Sequence, residues 1–329
     1  MKKETVSRRK FILQSSLAAT AITVGSASIP GCNPKPKSQS EITGMPTRIF
    51  GKTGEQVSIL GYGGGSQFMK MPDGEWEPHL EYAFNAGINY FDTASTYGED
   101  AEKPSESRFG EIIPSFRDKV LLLTKIHDRD VDKAKAEFER SLNRLKTDYV
   151  DILLIHAITE DDLVGDIESG VYQFVQDLKA QKSVRYIGFS SMDSAERSKE
   201  LIEKLDFDIT LLAMNPTNYG NFSQVALPAA REKNLGVIAM KVMRDIVNDY
   251  AKPKELLDYA WNLDGVSCSL VSMTGMDPLK ENLNLASNYK KSPQALNFNK
   301  ELEERLAHLG GPQHLVWARP EYYDGSMIC

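Results

Sequence analysis

Short apolar runs alternate with longer amphipathic stretches from residue 47 onward. The longer stretches, such as residues 133–145 and 168–181, have the length and periodicity of helices. The short runs are bounded by polar and glycine-containing segments and are typical of buried strands. Eight runs have this character: residues 57–60, 89–92, 120–124, 150–155, 184–189, 209–214, 236–240 and 267–272.

The spacing of these runs predicts the fold class. They end near Gly63, Asp92, Lys125, His156, Ser190, Asn215, Lys241 and Ser272, in steps of 25 to 34 residues. A (β/α)8 barrel of about 250 residues gives about 31 residues to each unit. We therefore predict an α/β protein of the (β/α)8 TIM-barrel class, with a doubly wound open sheet as the alternative. Residues 47–57, centred on Lys52-Thr53-Gly54, predict an N-terminal β-hairpin.

Composition and charge narrow the function. The 329 residues are 41% apolar and 26% charged, which is enough for one sizeable core. A net charge of -7 provides no basic surface for nucleic acid and leaves small-molecule chemistry. Cys32, Cys268 and Cys329 show no CxxC pair and no metal-ligand spacing, so we predict no metal site. Cys268 is predicted to be a core residue, and a Cys268–Cys329 bridge is the alternative to two free thiols.

Residues 1–32 have the pattern of an export signal. Residues 7–13 (SRRKFIL) precede a modestly apolar stretch rich in Ala, Ser and Thr, and they resemble a twin-arginine signal. Residues 29–32 (IPGC) resemble the lipobox of bacterial lipoproteins, with Cys32 as the acylated residue, although the proline departs from the usual pattern. The expected location is the periplasm or a lipid anchor at the membrane, and a disordered basic tail is the alternative. Residues 33–46 predict a flexible linker, which leaves residues 47–329 as the barrel domain.

Polar side chains end three consecutive predicted strands. Asp92, Lys125 and His156 occupy these positions, and Tyr97 follows Asp92 by five residues. Because the active sites of such barrels lie at the carboxyl ends of the strands, we expect the four side chains around one opening. Each alone has a structural interpretation, as a helix cap, a surface cation, a satisfied histidine or a rim aromatic. Only their joint placement favours catalysis.

These residue types suit the reduction of a carbonyl group. The reaction needs a hydride at carbon and a proton at oxygen as negative charge develops there. Tyr97 is the predicted proton donor, and a lysine cation beside it, Lys125, is expected to lower its pKa from about 10. Asp92 is expected to hold Lys125 in its charged form. His156 is expected to orient the carbonyl through a ring N–H.

Residues 87–98 (GINYFDTASTYG) resemble the signature of the aldo-keto reductases around their catalytic aspartate and tyrosine. The resemblance covers most of the chain and includes residues 50–54 with 57–58, Ser105-Glu106 with Gly110, residues 148–156 and residues 185–191. It implies that Asp92, Tyr97, Lys125 and His156 match the catalytic tetrad. It also implies hydride transfer between NADP or NAD and a small carbonyl or alcohol such as an aldehyde, a ketone or a sugar. Tight binding of the cofactor is expected from the predicted export instead.

The same resemblance implies a set of cofactor residues. Gly63 and Gly64 would let the backbone approach the ribose, while Ser190, Ser191 and Asn215 would contact the nicotinamide amide. Glu281 and Asn282 match the segment that binds adenosine phosphate, which is short here and has Lys280 as its only cation, so NADP and NAD both remain open. Lys241, with Arg244, is assigned to the pyrophosphate, and solvation is the alternative.

Two other functions remain open. A noncatalytic redox-sensing or scaffold barrel would bind dinucleotide without turnover, and a barrel hydrolase would need paired carboxylates or a metal, which the strand ends lack. Export by the twin-arginine route, which carries folded proteins, would require the cofactor to be loaded first. The tail from Trp317, with Tyr322 and Tyr323, either borders the substrate pocket or packs peripherally, and it shows no charged constellation that would name a substrate.

Overall fold

The computed structural model describes residues 44–324. The strands within this range are β1 (Thr47–Ile49), β2 (Gln56–Ser58), β3 (Leu60–Gly63), β4 (Tyr90–Asp92), β5 (Leu121–Ile126), β6 (Val150–Ile158), β7 (Val184–Ser191), β8 (Ile209–Ala213), β9 (Gly236–Met240) and β10 (Val266–Val271). The helices are α1 (Ser66–Met69), α2 (Trp76–Asn85), α3 (Ser105–Ile112), α4 (Val131–Arg144), α5 (Val164–Ile167), α6 (Gln173–Ala180), α7 (Ala195–Lys204), α8 (Phe222–Glu232), α9 (Pro253–Asn262), α10 (Met276–Ser287) and α11 (Ala295–Leu306). A π-helical segment, Glu168–Tyr172, joins α5 to α6.

Strands β3 to β10 close into a barrel in the order β10-β3-β4-β5-β6-β7-β8-β9. Neighbouring strands are parallel, and β10 pairs with both β9 and β3, which completes the circle. The predicted (β/α)8 barrel is confirmed, and the open-sheet alternative is wrong. Because the strands are covered by helices outside and fill the barrel inside, whole strands such as β5 are buried, and this explains the continuous apolar runs.

The predicted hairpin is present as β1 and β2, with Thr47 opposite Ser58. Its turn contacts the amino end of β9, where the Lys52 N–H donates to the Asn234 carbonyl at 2.6 Å. Arg48 donates to the Val266 carbonyl, also at 2.6 Å, at the start of β10. The hairpin therefore covers the amino-terminal end of the barrel, and the carboxyl ends of the strands form the opposite mouth.

The bounds of the first predicted barrel strand, residues 57–60, were wrong. Val57 pairs with Arg48 in the hairpin, and the barrel strand begins at Leu60. Between them, the Ile59 N–H donates to the Pro46 carbonyl at 3.0 Å, so the chain leaves one sheet and enters another. The apolar run continues across this break because both sides of it are buried, and the pattern alone therefore cannot place the boundary.

Three residues of the Ser-Glu-x-x-x-Gly element serve packing. A Cβ at Gly110 would lie 2.0 Å from the Arg144 carbonyl oxygen, so only glycine allows α3 to approach α4 this closely. Glu106 is buried and accepts from the Thr124 hydroxyl at 2.6 Å. The Ser105 hydroxyl accepts from Thr93 at 2.8 Å beside β4. These contacts fix α3 against the strands that carry Asp92 and Lys125.

Cys268 is a buried free thiol in β10, as predicted for a core residue, and burial raises the pKa of this thiol. Cys329, the other half of the alternative bridge, lies outside the described residues, as do the predicted export signal, Cys32 and most of the linker. Within residues 44–324, no helix combines the length and apolar character needed to cross a bilayer.

Candidate active site

The carboxyl ends of the barrel strands open into a cavity of about 460 Å³. Asp92, Tyr97 and Lys241 are among the residues that line it. The last described segment of the chain closes the rim with Tyr322 and Asp324. The cavity therefore lies at the face where barrels of this class place their chemistry.

The Lys125 ammonium connects the Asp92 carboxylate to the Tyr97 phenol. Its ammonium donates to Asp92 Oδ1 at 2.7 Å, to the Thr93 carbonyl at 2.9 Å and to the Tyr97 hydroxyl at 3.1 Å. Three acceptors match the three protons of a charged ammonium. The side chains of Lys125 and Asp92 are 0% and 1% exposed, so the ion pair is shielded from solvent. The ammonium is thereby fixed beside the phenol oxygen.

Burial dominates the protonation of the Asp92 carboxyl. It raises the pKa of Asp92 to about 6, while the adjacent Lys125 cation opposes the rise. One carboxylate oxygen, Oδ2, has no hydrogen-bond partner among the described residues. Asp92 is thus held in its charged form mainly by Lys125, which makes the two residues interdependent.

Tyr97 differs from the sequence-based expectation. Burial raises the pKa of its phenol well above the ordinary value of 10, and the carboxylates of Asp324 and Asp92 raise it further. The expectation that the pKa of Tyr97 falls below 10 beside Lys125 is therefore wrong for this conformation, because burial and the two carboxylates dominate. The phenol keeps its proton, which it donates to Asp324 Oδ2 at 3.0 Å.

His156 is a neutral hydrogen-bond donor in this site. Its Nε2 lies 3.1 Å from Asp324 Oδ2, and because an ionised carboxylate only accepts, the ring proton is on Nε2. Its Nδ1 has no partner among the described residues. Burial lowers the pKa of His156 to about 4. The ring lies edge-on to Tyr97, with 5.6 Å between centroids, and both residues donate to Asp324 Oδ2.

Asp324 is the residue that the sequence analysis missed. Its carboxylate joins Tyr97 and His156 on one oxygen and Lys241 on the other, at 2.7 Å. The sequence analysis found no charged group in the tail that would name a substrate, and it did not assign Asp324 to the site. The only local signal is an acid between two tyrosines and a glycine, which is equally typical of an exposed turn.

The predicted cofactor residues divide into two groups. Gly63, Lys241, Glu281 and Asn282 line the cavity, together with Arg244. The Arg244 guanidinium donates to the Ser66 hydroxyl at 2.9 Å, and Lys241 is paired with Asp324, so neither cation is simply solvated. These residues come from β3, the segment after β9, and α10, which together form one wall of the mouth.

The other predicted cofactor residues do not line the cavity, and each of them contacts other parts of the protein. A Cβ at Gly64 would lie 2.6 Å from the Ser105 hydroxyl, so this glycine serves packing. Ser190 accepts from the Ala157 N–H at 2.9 Å, and Ser191 donates to the Ile158 carbonyl at 2.8 Å. Asn215 accepts from the Thr217 hydroxyl at 2.7 Å and donates to the Lys241 carbonyl at 3.2 Å.

The residues of this wall fit a dinucleotide. Lys241 and Arg244 supply two cations for a pyrophosphate, for which charge-assisted hydrogen bonds are the strongest available contacts. The atoms nearest to a Cβ at Gly65 would be the Ser272 hydroxyl at 3.6 Å and the Tyr97 ring at 3.8 Å, which is ordinary contact, and Gly65 lines the cavity. Asn282, buried at the edge, offers an amide for a base.

The low pKa of His156 predicts a pH-dependent loss of stability. The unfolded chain binds a proton at the ordinary value of 6.5, whereas the folded protein does so only near 4. Stability is therefore lost as pH falls from 6.5 to 4, by about 3 kcal/mol at most. We expect His156→Gln to remove this part of the pH dependence in urea unfolding. His308→Gln, at an exposed histidine, is the control, and equal slopes for wild type and His156→Gln would contradict the prediction.

Comparison with known proteins places this geometry in context. Residues 60–245, more than half of the chain, match the model of the aldo/keto reductase family. L-galactose dehydrogenase of Arabidopsis thaliana is 27% identical over 210 residues, which cover 60% of this chain and 65% of that protein. L-glyceraldehyde 3-phosphate reductase of Escherichia coli K12 is 29% identical over 189 residues, or 53% of each chain. The match thus spans less than two thirds of either relative.

A solved structure shows the same fold. The holo form of the aldo-keto reductase AKR11C1 from Bacillus halodurans superposes with a TM-score of 0.67, over 78% of this chain and 96% of that one. The sequences are 19% identical, so the likeness concerns the architecture.

Proposed function

The chain belongs to the aldo/keto reductase family, and we propose that it transfers a hydride between a nicotinamide dinucleotide and the carbonyl or alcohol carbon of a small molecule. One observation carries this proposal. The Tyr97 hydroxyl and the His156 Nε2–H converge on a single oxygen atom at the cavity, with the Lys125 ammonium 3.1 Å from the phenol.

The arrangement accounts for proton transfer to a carbonyl oxygen. An oxygen that accepts from both Tyr97 and His156 is polarised by two buried donors. As negative charge develops on it, Tyr97 passes its proton to that oxygen and becomes a phenolate. Lys125 stabilises the phenolate, with its ammonium 4.6 Å from the ring centroid, and Asp92 keeps the ammonium in place. In the oxidation of an alcohol, the phenolate accepts the proton. A dinucleotide held by Lys241, Arg244 and the neighbouring lining residues would supply or accept the hydride.

The substrate class follows from the residues and the relatives together. The names of the two similar proteins refer to a sugar and to a phosphorylated aldehyde. We propose aldehydes, ketones or sugars for this chain. The test is turnover of a panel of carbonyl compounds and alcohols, measured by the change in dinucleotide absorbance. A noncatalytic dinucleotide-binding barrel, the alternative, would bind dinucleotide but turn over none of the panel.

We propose that NAD(H) is preferred to NADP(H). The Lys280 ammonium lies over the Tyr82 ring, 5.7 Å from its centroid, while Glu281 is one of the residues that line the cavity. A carboxylate accepts from a ribose hydroxyl but repels a 2′-phosphate, so we expect a KM about tenfold lower for NADH. Glu281→Gln should narrow the difference, and Glu301→Gln, at an exposed position on α11, should not. A lower KM for NADPH in the wild type would reverse the assignment.

We also propose export by the twin-arginine route, with lipid attachment at Cys32. The support is the sequence at residues 7–13 and 29–32. Arg8→Lys/Arg9→Lys should retain the protein in the cytoplasm, and Cys32→Ser should release it from the membrane fraction. We expect mass spectrometry of the exported wild type to find a tightly held dinucleotide, because the folded protein would carry it through the membrane.

A further inference from the structure

Asp324 occupies the position that a substrate oxygen would need. Its Oδ2 accepts from the Tyr97 hydroxyl at 3.0 Å and from the His156 Nε2–H at 3.1 Å. These are the same two donors that the proposed function assigns to the carbonyl. Since a single oxygen site cannot hold two atoms, the described conformation excludes a substrate.

The second oxygen of Asp324 is held by other groups. Oδ1 accepts from the Lys241 ammonium at 2.7 Å and from the Tyr322 hydroxyl at 3.3 Å. Burial opposes the charged form, but Lys241 and the His156 hydrogen bond hold the pKa of Asp324 well below its usual range. Each oxygen of the carboxylate therefore accepts two hydrogen bonds, and Asp324 is ionised in this conformation.

The tail is anchored upstream of this contact. Trp317 is buried with its ring edge-on to Tyr219, 5.4 Å between centroids, and the Val316 N–H donates to Asp245 Oδ2 at 2.8 Å. Pro320 and Glu321 are exposed. The Tyr323 ring packs edge-on against the His127 ring, with 5.1 Å between centroids, and Tyr323 is 40% exposed. The segment from residue 320 to residue 324 can therefore leave the mouth while Trp317 stays in place.

Lys241 belongs to both the tail contact and the dinucleotide wall. A dinucleotide phosphate is an alternative anion for the Lys241 ammonium. If Lys241 paired with that phosphate, Asp324 would lose its closest charge partner. We propose that Asp324 closes the dinucleotide-free active site by filling the carbonyl-oxygen position, and that dinucleotide binding at Lys241 releases the tail. This inference rests on the proposed function, which places the substrate carbonyl oxygen between Tyr97 and His156.

Hydrogen exchange of the full chain, read by mass spectrometry on residues 319–324, tests the proposal without turnover. In the absence of dinucleotide, we expect Asp324→Ala to exchange at least about tenfold faster than wild type in this segment. Glu321→Gln removes a charge from the same tail at an exposed position and should exchange like wild type. Adding NAD+ or NADP+ should raise the exchange of the wild type towards that of Asp324→Ala.

The affinity for dinucleotide gives a second measurement. Because the wild type must release Asp324 before Lys241 is free, Asp324→Ala should bind dinucleotide about tenfold more tightly, and Glu321→Gln should not. Unchanged exchange in Asp324→Ala, unchanged or slower exchange on adding dinucleotide, or equal affinities would each overturn the proposal. A wild type that shows these tail responses but turns over no carbonyl or alcohol would overturn the proposed function instead.

Discussion

Tyr97→Phe is expected to lower kcat by about a thousandfold, the range of general acid catalysis by a positioned side chain. The substitution removes one oxygen atom, which donates to the carbonyl-oxygen position and lies 3.1 Å from the Lys125 ammonium. The ring stays, so the shape of the buried site and its edge-on contact with His156 are retained. Steady-state rates on any accepted carbonyl, at saturating dinucleotide, provide the measurement.

The dinucleotide affinity of Tyr97→Phe separates lost chemistry from lost structure. Tyr97→Phe also removes one hydrogen-bond donor from Asp324, which weakens the contact between the tail and the mouth. The Kd of this variant for dinucleotide should therefore be equal to or lower than that of the wild type. Tyr82→Phe, at a tyrosine 42% exposed on α2, is the matched control and should keep wild-type rates. Residual activity within tenfold of wild type would remove Tyr97 from the role of proton donor.

Lys125→Met is expected to lower both kcat and stability. It removes the cation beside the Tyr97 hydroxyl and leaves Asp92 buried without its charge partner. Loss of one partner of a buried ion pair costs about 3–5 kcal/mol in the free energy of unfolding. Burial already raises the pKa of Asp92 to about 6, and without the lysine cation the rise is larger. A folded-state pKa above the unfolded one means that stability is lost as pH rises, so the defect should be smaller at pH 5 than at pH 8.

A second substitution distinguishes the two effects of Lys125→Met. Replacing Asp92 by leucine in the same chain removes the uncompensated carboxylate, so Lys125→Met/Asp92→Leu should recover much of the stability and none of the activity. Lys254→Met, at a lysine whose side chain is 66% exposed on α9, controls for the loss of a surface charge. A double variant as unstable as Lys125→Met would show that the ion pair is not the source of the defect.

The fold was predictable because its signals are local. Each strand of the barrel is an apolar run set off by polar residues, and the spacing of those runs is a property of the chain. Asp92, Lys125 and His156 lie at or near the carboxyl ends of β4, β5 and β6, and they come together because adjacent parallel strands bring these ends to one rim. The exception is the boundary between β2 and β3, where two different sheets bury one continuous apolar run.

The electrostatics of the site were not predictable in the same way. The direction of the Tyr97 pKa depends on burial and on Asp324 more than on Lys125. Ser190, Ser191 and Asn215 carry suitable polar groups, but in this conformation those groups bind neighbouring loops and strands. The residue type determines which hydrogen-bonding groups a side chain has, whereas packing determines which partners those groups contact.

The sequence by itself determined the eightfold alternation of strands and helices and the placement of Asp92, Lys125 and His156 near the carboxyl ends of consecutive strands, because periodicity and spacing are properties of the chain. Only the tertiary structure decided that Asp324 meets Tyr97, 227 residues away, and pairs with Lys241 in the mouth of the barrel. A tail beyond the last helix has no repeating pattern, and its position is fixed by hydrogen bonds and charges that exist only after the barrel has closed.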